Sequence, residues 1–174
     1  MLSLRNLSPE KISQTSHLRA GALQRLLAVT AFGKNNPYAR HGESMDKVTI
    51  EELPNTKVIS GAKRWEEERG EFVQIAYRET MHHLAAFEIR KGYSRGDHYH
   101  EKKDEIFYVF RGKIRASLID MDTLQKEEKI LVKGNRIRVK PRCGHRFYGL
   151  EDTLVVEYSP QVYDKEDSYK VNLD

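Results

Sequence analysis

Short runs of alternating apolar and polar residues follow one another from residue 48 to residue 158, at intervals of about ten residues. Glycine, proline, asparagine and aspartate separate these runs, and no long amphipathic helix interrupts them. Regular short strands of this kind are typical of a β-sandwich or a β-barrel, so the chain is predicted to be all-β. The expected strands cover residues 48–50, 58–59, 72–77, 83–89, 106–110, 114–119, 129–132, 136–139, 145–148 and 154–158, and residues 65–69 are expected to form a solvated turn.

The start of the chain predicts an N-terminal extension that is partly helical or disordered. Ser8 and Pro9 are typical of a helix start, as the N-cap and the first helical residue. Apolar residues then recur at helical spacing over residues 18–29. The predicted organisation is therefore an extension of residues 1–45 followed by a β-barrel domain of residues 46–174.

The positive charge of the chain is concentrated in this extension. Residues 1–42 contain six basic residues against Glu10 alone, whereas the other 24 basic and 25 acidic residues nearly cancel. The folded part therefore lacks the basic surface that nucleic-acid binding needs, and no nucleic acid is expected as a partner. A basic segment with few acidic residues is also typical of a mitochondrial transit peptide. The alternative is that translation starts at Met45.

Composition excludes two further classes of protein. No apolar run approaches the roughly 20 residues that cross a bilayer, so no membrane is expected as a partner. Cys143 is the only cysteine, which excludes an internal disulfide, fits a reducing compartment and predicts a cytoplasmic location. It lies two residues before His145, so a nucleophilic Cys–His pair is an alternative that would require a lowered thiol pKa.

The strongest functional motif lies between Gly92 and Gly112, where the chain reads GYSRGDHYHEKKDEIFYVFRG. Strand geometry puts His98 and His100 on the same face, and the polar turn after them is expected to bring Glu105 back on a hairpin. Two imidazoles and a carboxylate are typical ligands of a divalent transition-metal ion. The sequence therefore predicts one ion, which is Zn, Fe, Mn, Ni or Co.

A fourth ligand is expected from a later segment. His145 follows a turn that contains Pro141 and Gly144, and it enters a predicted strand. A barrel that closes can bring this strand opposite the first motif. Such an ion retains open positions for substrate oxygens and can polarise a carbonyl group or acidify a bound water. The predicted metal ligands are His98, His100, Glu105 and His145.

These two segments together resemble the paired motifs of the cupin superfamily. The first motif is matched at every fixed position, by Gly92, His98, His100, Glu105 and Gly112. The second motif is matched by Pro141 and His145 with altered spacing, and Gly149 stands where the superfamily has asparagine. The resemblance covers residues 46–165. It implies a double-stranded β-helix, or jelly-roll barrel, that forms a homodimer.

The core of the first motif, Arg-Gly-x-His-x-His, is similar to that of the cupins that modify sugars, which include ketoisomerases, 3,5-epimerases and capsule-synthesis domains. This resemblance implies an isomerase or epimerase that acts on a sugar phosphate or a nucleotide sugar. Such an enzyme removes a proton beside a carbonyl group and returns it elsewhere. In this scheme His98 or His100 is the base, and Tyr93 or Tyr99 is its partner.

Further side chains are expected at the rim of the cavity. Arg95 and Arg146 are candidates to bind an anionic substituent, because a guanidinium group pairs bidentately with phosphate or carboxylate. Tyr148 is a third candidate for orienting the substrate. The predicted partner is therefore a small molecule, a sugar derivative.

Three alternatives remain open from the sequence. A histidine that binds a metal gives it the lone pair that a base would use, and nucleotide-sugar enzymes of this type work without a metal. Sugar-phosphate isomerases of the cupin class keep the four ligands, bind a metal and still shift a carbonyl group. A metal-binding sugar isomerase or epimerase is therefore the first possibility. A non-haem Fe(II) dioxygenase would use the same ligands in a largely apolar cavity. A non-catalytic module that senses a sugar or a metal is the third possibility.

Overall fold

The computed structural model describes residues 45–174, so the predicted helical part of the extension lies outside the described residues. The domain boundary at residue 45 stays a prediction. Within residues 45–174 there is no α-helix, and hence no helix that could cross a membrane. A short 3₁₀ helix spans Lys165–Asp167. The strands are β1 (Val48–Glu52), β2 (Lys63–Glu67), β3 (Gly70–Gln74), β4 (His83–Ile89), β5 (Ser94–Tyr99), β6 (Glu105–Arg111), β7 (Lys113–Asp120), β8 (Lys126–Val132), β9 (Asn135–Val139), β10 (Cys143–Gly149), β11 (Thr153–Ser159) and β12 (Tyr169–Lys170).

Ten of these strands form two five-stranded antiparallel sheets. The first sheet has the order β1-β9-β6-β11-β4, and the second has the order β12-β5-β10-β7-β8. The chain passes from one sheet to the other between β4 and β5, and again between β5 and β6. This is the double-sheet arrangement of a jelly roll, which confirms the predicted fold class. Strands β2 and β3 form a separate hairpin.

The core lies between the two sheets. Alternate residues of β6 and β7 point inward, and Phe107, Val109, Ile114 and Ala116 are at most 2 % exposed. Burying one large aliphatic or aromatic side chain of this kind contributes about 1.5–3 kcal/mol relative to leaving it in water. The core also includes Phe147 of β10. Phe107 and Phe147 also line the cavity of the candidate site.

Two local predictions about the β2–β3 region are wrong. Residues 58–59 form no strand, and Val58 is 90 % exposed, so this short apolar pair buries too little surface to hold a strand. Trp65 lies in β2 instead of a solvated turn, and its ring stacks on Phe72 of β3 with 4.1 Å between centroids. A cross-strand aromatic pair of this kind stabilises the β2–β3 hairpin. The many charged residues of this segment did not indicate a strand.

The predicted hairpin between the two halves of the metal motif is also wrong. β5 pairs with β10 and β12, whereas β6 pairs with β9 and β11. The segment 100–104 therefore crosses from one sheet to the other. As a result, His98 and Glu105 approach each other from opposite sheets and not from adjacent strands.

Gly112, the second glycine of the first motif, allows the chain to turn from β6 into β7. Its φ of +87° is a conformation that residues with a Cβ rarely adopt. A Cβ built on it would also lie 2.4 Å from the carbonyl oxygen of Asp152. The motif therefore has glycine here for a steric reason.

Candidate active site

A cavity of about 160 Å³ opens between the two sheets. Whole drug-sized ligands occupy pockets of about 300–1,000 Å³. The cavity therefore suits a single small ring, and a larger substrate would extend beyond its mouth. Its lining combines three phenylalanines with carboxylates, imidazoles and one arginine, and consists of Phe87, Arg95, Gly96, His98, Glu105, Phe107, His145, Phe147 and Glu157.

Three of the four predicted metal ligands meet in this cavity. One donor atom each of His98, Glu105 and His145 lie within 4.8 Å of one another. His145 lies directly opposite His98 in the β5–β10 pair, and Nε2 of His145 is 3.7 Å from Oε2 of Glu105. Donor atoms that share an ion through bonds of about 2.1 Å lie within about 4.2 Å of one another. The three side chains therefore need only small shifts to hold one ion.

The close approach of β5 and β10 depends on Gly96. A Cβ at this position would lie 2.5 Å from the carbonyl oxygen of His145, and the φ of Gly96 is +110°. A larger residue would push the two strands apart where His98 faces His145. The glycine of the Arg-Gly-x-His-x-His core therefore sets the distance between two of the candidate ligands.

His100, the fourth predicted ligand, lies just beyond the end of β5 and is 4 % exposed. Its Nδ1 contacts the carbonyl oxygen of Asp167, and its Nε2 lies 3.3 Å from Oε1 of Glu105. An N–H of Nδ1 that donates to a carbonyl fixes the orientation of the ring. Nε2, the other ring nitrogen of His100, is thereby directed toward Glu105.

Asp167 holds the segment between β5 and β6 in place. Its carboxylate accepts hydrogen bonds from the backbone N–H groups of Glu101, Lys102 and Lys103, at 2.9, 3.2 and 3.1 Å respectively. Its carbonyl oxygen contacts His100 as described above. Sequence reasoning missed Asp167, because no motif connects the C-terminal segment with this crossing.

Lys103 is a buried cation beside the candidate ligands, and it too was missed. Its side chain is 5 % exposed, and its Nζ lies 2.9 Å from Oε1 of Glu105 and 2.7 Å from Oε1 of Glu157. Burial alone would lower the pKa of Lys103, but the two carboxylates raise it above its ordinary value. Lys103 therefore stays charged and neutralises part of the negative charge of the cavity.

The environment favours neutral imidazoles at His98 and His145 and an ionised carboxylate at Glu105. Burial would lower the pKa of His100, but Glu105 and the carbonyl oxygen of Asp167 raise it above its ordinary value. Burial lowers the pKa of His145 to about 4 and also lowers the pKa of His98. Burial would raise the pKa of Glu105, but His145, His100 and Lys103 hold it well below its usual range. At neutral pH, His98 and His145 thus present lone pairs and Glu105 presents a negative charge.

This donor set fits a divalent transition-metal ion. Two imidazoles and one carboxylate that leave further positions open are typical of catalytic Fe, Zn and related sites. In addition, Nδ1 of His145 is buried and has no hydrogen-bond partner among the described residues. A buried nitrogen of this kind is rare unless a ligand uses the ring.

Of the predicted rim residues, only Arg95 lines the cavity. Its Nε donates to the carbonyl oxygen of Glu88 at 3.0 Å, and its guanidinium group lies 5.5 Å from the centre of the Phe87 ring. The remaining donors of its guanidinium fork are available for an anionic or hydroxyl group of a ligand.

The structure does not bring the other candidates to the cavity lining. Arg146 and Tyr148 alternate with His145 and Phe147 along β10, so they face the opposite side of the sheet. Arg146 pairs with Asp97 and Asp174, and Tyr148 lies under the guanidinium group of Arg115.

The two predicted tyrosine partners also lie elsewhere. Tyr93 is 69 % exposed, and it follows the turn that precedes β5. Tyr99 alternates with His98 along β5, and its ring stacks on Tyr169 with 5.3 Å between centroids. Neither tyrosine lines the cavity.

Cys143 is packed as a core residue, which is the opposite of what the alternative Cys–His pair requires. Its side chain is buried, and its Sγ lies 3.6 Å from Sδ of Met45. Burial raises the pKa of the thiol to about 12. We therefore expect alkylation of the native protein by iodoacetamide at pH 8 to be about 1,000-fold slower than that of glutathione.

Mass spectrometry of the alkylated protein measures this rate, and the guanidinium-unfolded chain is the control that should react fully. A native rate within tenfold of that of glutathione would show that the thiol is accessible and ionised.

Comparisons with known proteins agree with this architecture. A family model described as the polysaccharide biosynthesis C-terminal domain matches residues 65–168. No curated protein matches the sequence. Solved structures that match are similar over most of both chains, at sequence identities that establish a shared fold only.

Three of these structures come from sugar-nucleotide enzymes. A sugar 3,4-ketoisomerase from Thermoanaerobacterium thermosaccharolyticum, in complex with TDP, has a TM-score of 0.58 and 14 % identity, over 72 % of this chain and 88 % of that chain. A 3'-monoepimerase from Streptomyces bikiniensis, in complex with dTDP-quinovose, has a TM-score of 0.61 and 15 % identity, over 76 % and 73 %. A dTDP-6-deoxy-D-glucose-3,5-epimerase from Legionella pneumophila has a TM-score of 0.56 and 17 % identity, over 71 % and 78 %. The likeness confirms the predicted cupin-type jelly roll.

Proposed function

This chain belongs to the polysaccharide biosynthesis C-terminal domain family, and we propose that it isomerises or epimerises the sugar of a nucleotide sugar. One observation carries the proposal. A ring-sized cavity that holds carboxylate, imidazole and guanidinium groups lies on a fold shared with a ketoisomerase and two epimerases of such sugars. Under this proposal the sugar ring of a nucleotide sugar enters the cavity and its nucleotide stays outside the mouth.

The reaction class matches the groups in the cavity. Both isomerisation and epimerisation remove a proton from a carbon beside a carbonyl group and return one to another position. Arg95 lines the cavity, and under this proposal it binds an oxygen of the sugar or of the first phosphate. The rings of Phe87, Phe107 and Phe147 exclude water, which strengthens the electrostatic interactions inside the cavity.

We further propose that the cavity holds one divalent ion. His98, Glu105 and His145 would hold it, with His100 as the fourth ligand. When bound, such an ion supplies a positive charge that polarises a carbonyl oxygen. An imidazole that binds the ion is no longer available as a base, so under this proposal His98 serves as a ligand.

Hydrogen exchange tests the proposed function directly. The protein is incubated in deuterated buffer with TDP-4-keto-6-deoxyglucose, the sugar nucleotide bound by the related ketoisomerase. We expect deuterium to appear at a carbon beside the carbonyl at least ~100-fold faster than in buffer alone, as seen by proton NMR. A second set of reactions uses other keto-sugar nucleotides and sugar phosphates. Folded, metal-loaded protein that exchanges no hydrogen in any of them would overturn the proposal.

The phenylalanines also favour a second candidate, a non-haem Fe(II) dioxygenase. Two histidines and one carboxylate form the ligand set of such enzymes, and an apolar lining suits oxygen chemistry. Oxygen consumption that requires Fe(II) would support this candidate. Sugar turnover under argon with several divalent ions would support the isomerase. If neither occurs while a sugar nucleotide binds, the protein is a sensing module.

The assembly that we propose is a homodimer. Strand β4 is an edge of the first sheet, and Leu84 on its outer face is 65 % exposed. An exposed apolar side chain on an edge strand is normally protected, and under this proposal a second copy would cover it symmetrically. The mass of the protein in solution, measured by light scattering, tests this. A cytoplasmic location likewise stays a proposal.

A further inference from the structure

We propose that Glu157 is the catalytic base of the cavity and that Lys103 and His83 position it. The inference rests on the proposed function, because it names the group that removes the proton in that reaction. None of these three residues occupies a fixed position of the motifs that the sequence singles out.

Glu157 is placed where a base is needed. It lies on β11 and lines the cavity together with Glu105, and these are the two carboxylates in the lining. Unlike Glu105, it is not part of the group of converging metal donors. A carboxylate inside the cavity that binds no ion retains the lone pairs that accept a proton.

The candidate ligands are less suited to the same task. If an ion occupies the cavity, the lone pairs of His98 and His145 are directed to it. Glu105 is one of the three converging donors, and its Oε1 also lies 3.3 Å from Nε2 of His100. If Glu157 is the base, the same small cavity can bind an ion through the candidate ligands and still remove a proton from the substrate.

The contacts of Glu157 orient its carboxylate. Nζ of Lys103 lies 2.7 Å from Oε1, and Nε2 of His83 lies 3.4 Å from the same oxygen. Both contacts fall on Oε1, so Oε2 is the oxygen left for the substrate. Fixing one oxygen while leaving the other free is how a general base is held in a productive geometry.

His83 connects this carboxylate with the exterior. It lies on β4 beside β11, and its side chain is 24 % exposed, against 15 % for Glu157. It does not line the cavity, and its ring is 6.2 Å from that of Tyr163. A half-buried imidazole in this position can pass a proton between Glu157 and water.

The chemical step balances without any oxidant or reductant. The C–H bond beside the substrate carbonyl breaks, its proton moves to Oε2 of Glu157, and its electron pair forms the C=C bond of an enolate. The carbonyl oxygen takes up the negative charge. In an isomerisation, the proton of the hydroxyl group on that carbon moves to the former carbonyl oxygen, and Glu157 returns its proton to the former carbonyl carbon, so the carbonyl moves by one position. In an epimerisation, water donates a proton to the opposite face of the same carbon, and Glu157 releases its own proton to solvent through His83.

Replacement of Glu157 by glutamine tests the role of the base. The variant E157Q keeps the shape of the side chain and an oxygen for Lys103, but it cannot accept the proton. We expect deuterium incorporation to fall by about 10²–10⁴-fold, with metal content and TDP binding within twofold of the wild type. The control is Glu66→Gln on strand β2, because the Glu66 side chain is 66 % exposed and does not line the cavity.

A second measurement tests the positioning role of His83. In His83→Gln, exchange of the proton on Glu157 with solvent should slow. The product should then retain more of the hydrogen of the substrate per turnover than the wild-type product does. A purely structural role of His83 would lower the rate without changing this ratio.

The outcomes separate the two proposals. If the wild type exchanges hydrogen and E157Q does so within threefold, Glu157 is not the base, and the proposed function stands. If E157Q does not fold, Glu157→Asp keeps the charge but draws the carboxylate back, and its full activity would equally overturn the inference. If the wild type exchanges no hydrogen with any probe, the proposed function is wrong, and this inference is wrong with it.

Discussion

Replacing Lys103 with methionine is expected to lower the free energy of unfolding by about 3–5 kcal/mol. The ammonium group of Lys103 lies between the carboxylates of Glu105 and Glu157, and its side chain is 5 % exposed. Its removal leaves two negative charges facing each other without their cation in a place that water hardly reaches. Urea denaturation at pH 7 in the presence of EDTA measures the effect without any contribution from a metal.

The chain provides its own matched control for this experiment. Lys102 is the preceding residue, it is exposed, and Lys102→Met should change the free energy of unfolding by less than about 0.5 kcal/mol. A loss below 1 kcal/mol in Lys103→Met would mean that the ion pair is well solvated. Addition of a divalent ion should restore part of the stability of Lys103→Met, because an ion that binds only the folded state stabilises it.

Replacing His98 with alanine is expected to weaken binding of the proposed ion on the order of 100-fold or more. Loss of groups that merely support a ligand already costs about 10–100-fold in metal affinity, and loss of a ligand costs more. Elemental analysis of the protein purified without added metal measures the result. The variant should lose its metal and keep a cooperative unfolding transition, because His98 is only half-buried at the cavity wall.

His82→Ala is the control for this variant, because His82 is exposed and lies outside the cavity lining. It should retain the metal content of the wild type. If His98→Ala also retained it, the metal site would have to be withdrawn, whereas the fold and the role of Glu157 would still be testable.

The general architecture was accessible from the sequence because it follows from local patterns. Alternating runs and turn residues predicted the strands. The His-x-His-x4-Glu pattern and a closing barrel predicted that His98, His100, Glu105 and His145 converge, and the structure brings donor atoms of His98, Glu105 and His145 together. The pairing of the strands was not accessible. A polar segment of four residues after His100 fits a hairpin and a crossing between sheets equally well, and only long-range packing decides between them.

The side chains that line the cavity were also hard to predict, because long-range packing decides which residues meet there. Nothing local distinguishes Lys103 from Lys102, since burial of one of them depends on carboxylates that come from β6 and β11. The sequence contains one weak indication that Glu157 lines the cavity, because it is an acidic residue at an inward-facing position of an otherwise apolar strand. The outward position of Arg146 and Tyr148 follows from strand alternation once His145 is placed inside.

The crossing between β5 and β6 has a mechanical consequence. His98 and His145 belong to one layer of the sandwich and Glu105 belongs to the other, so an ion shared by them would join the two layers. Spreading of the layers at this end and release of the ion would then be the same event. The affinity for the ion would then depend on how closely the two sheets pack at this end. A ligand that separates the two sheets would release the ion.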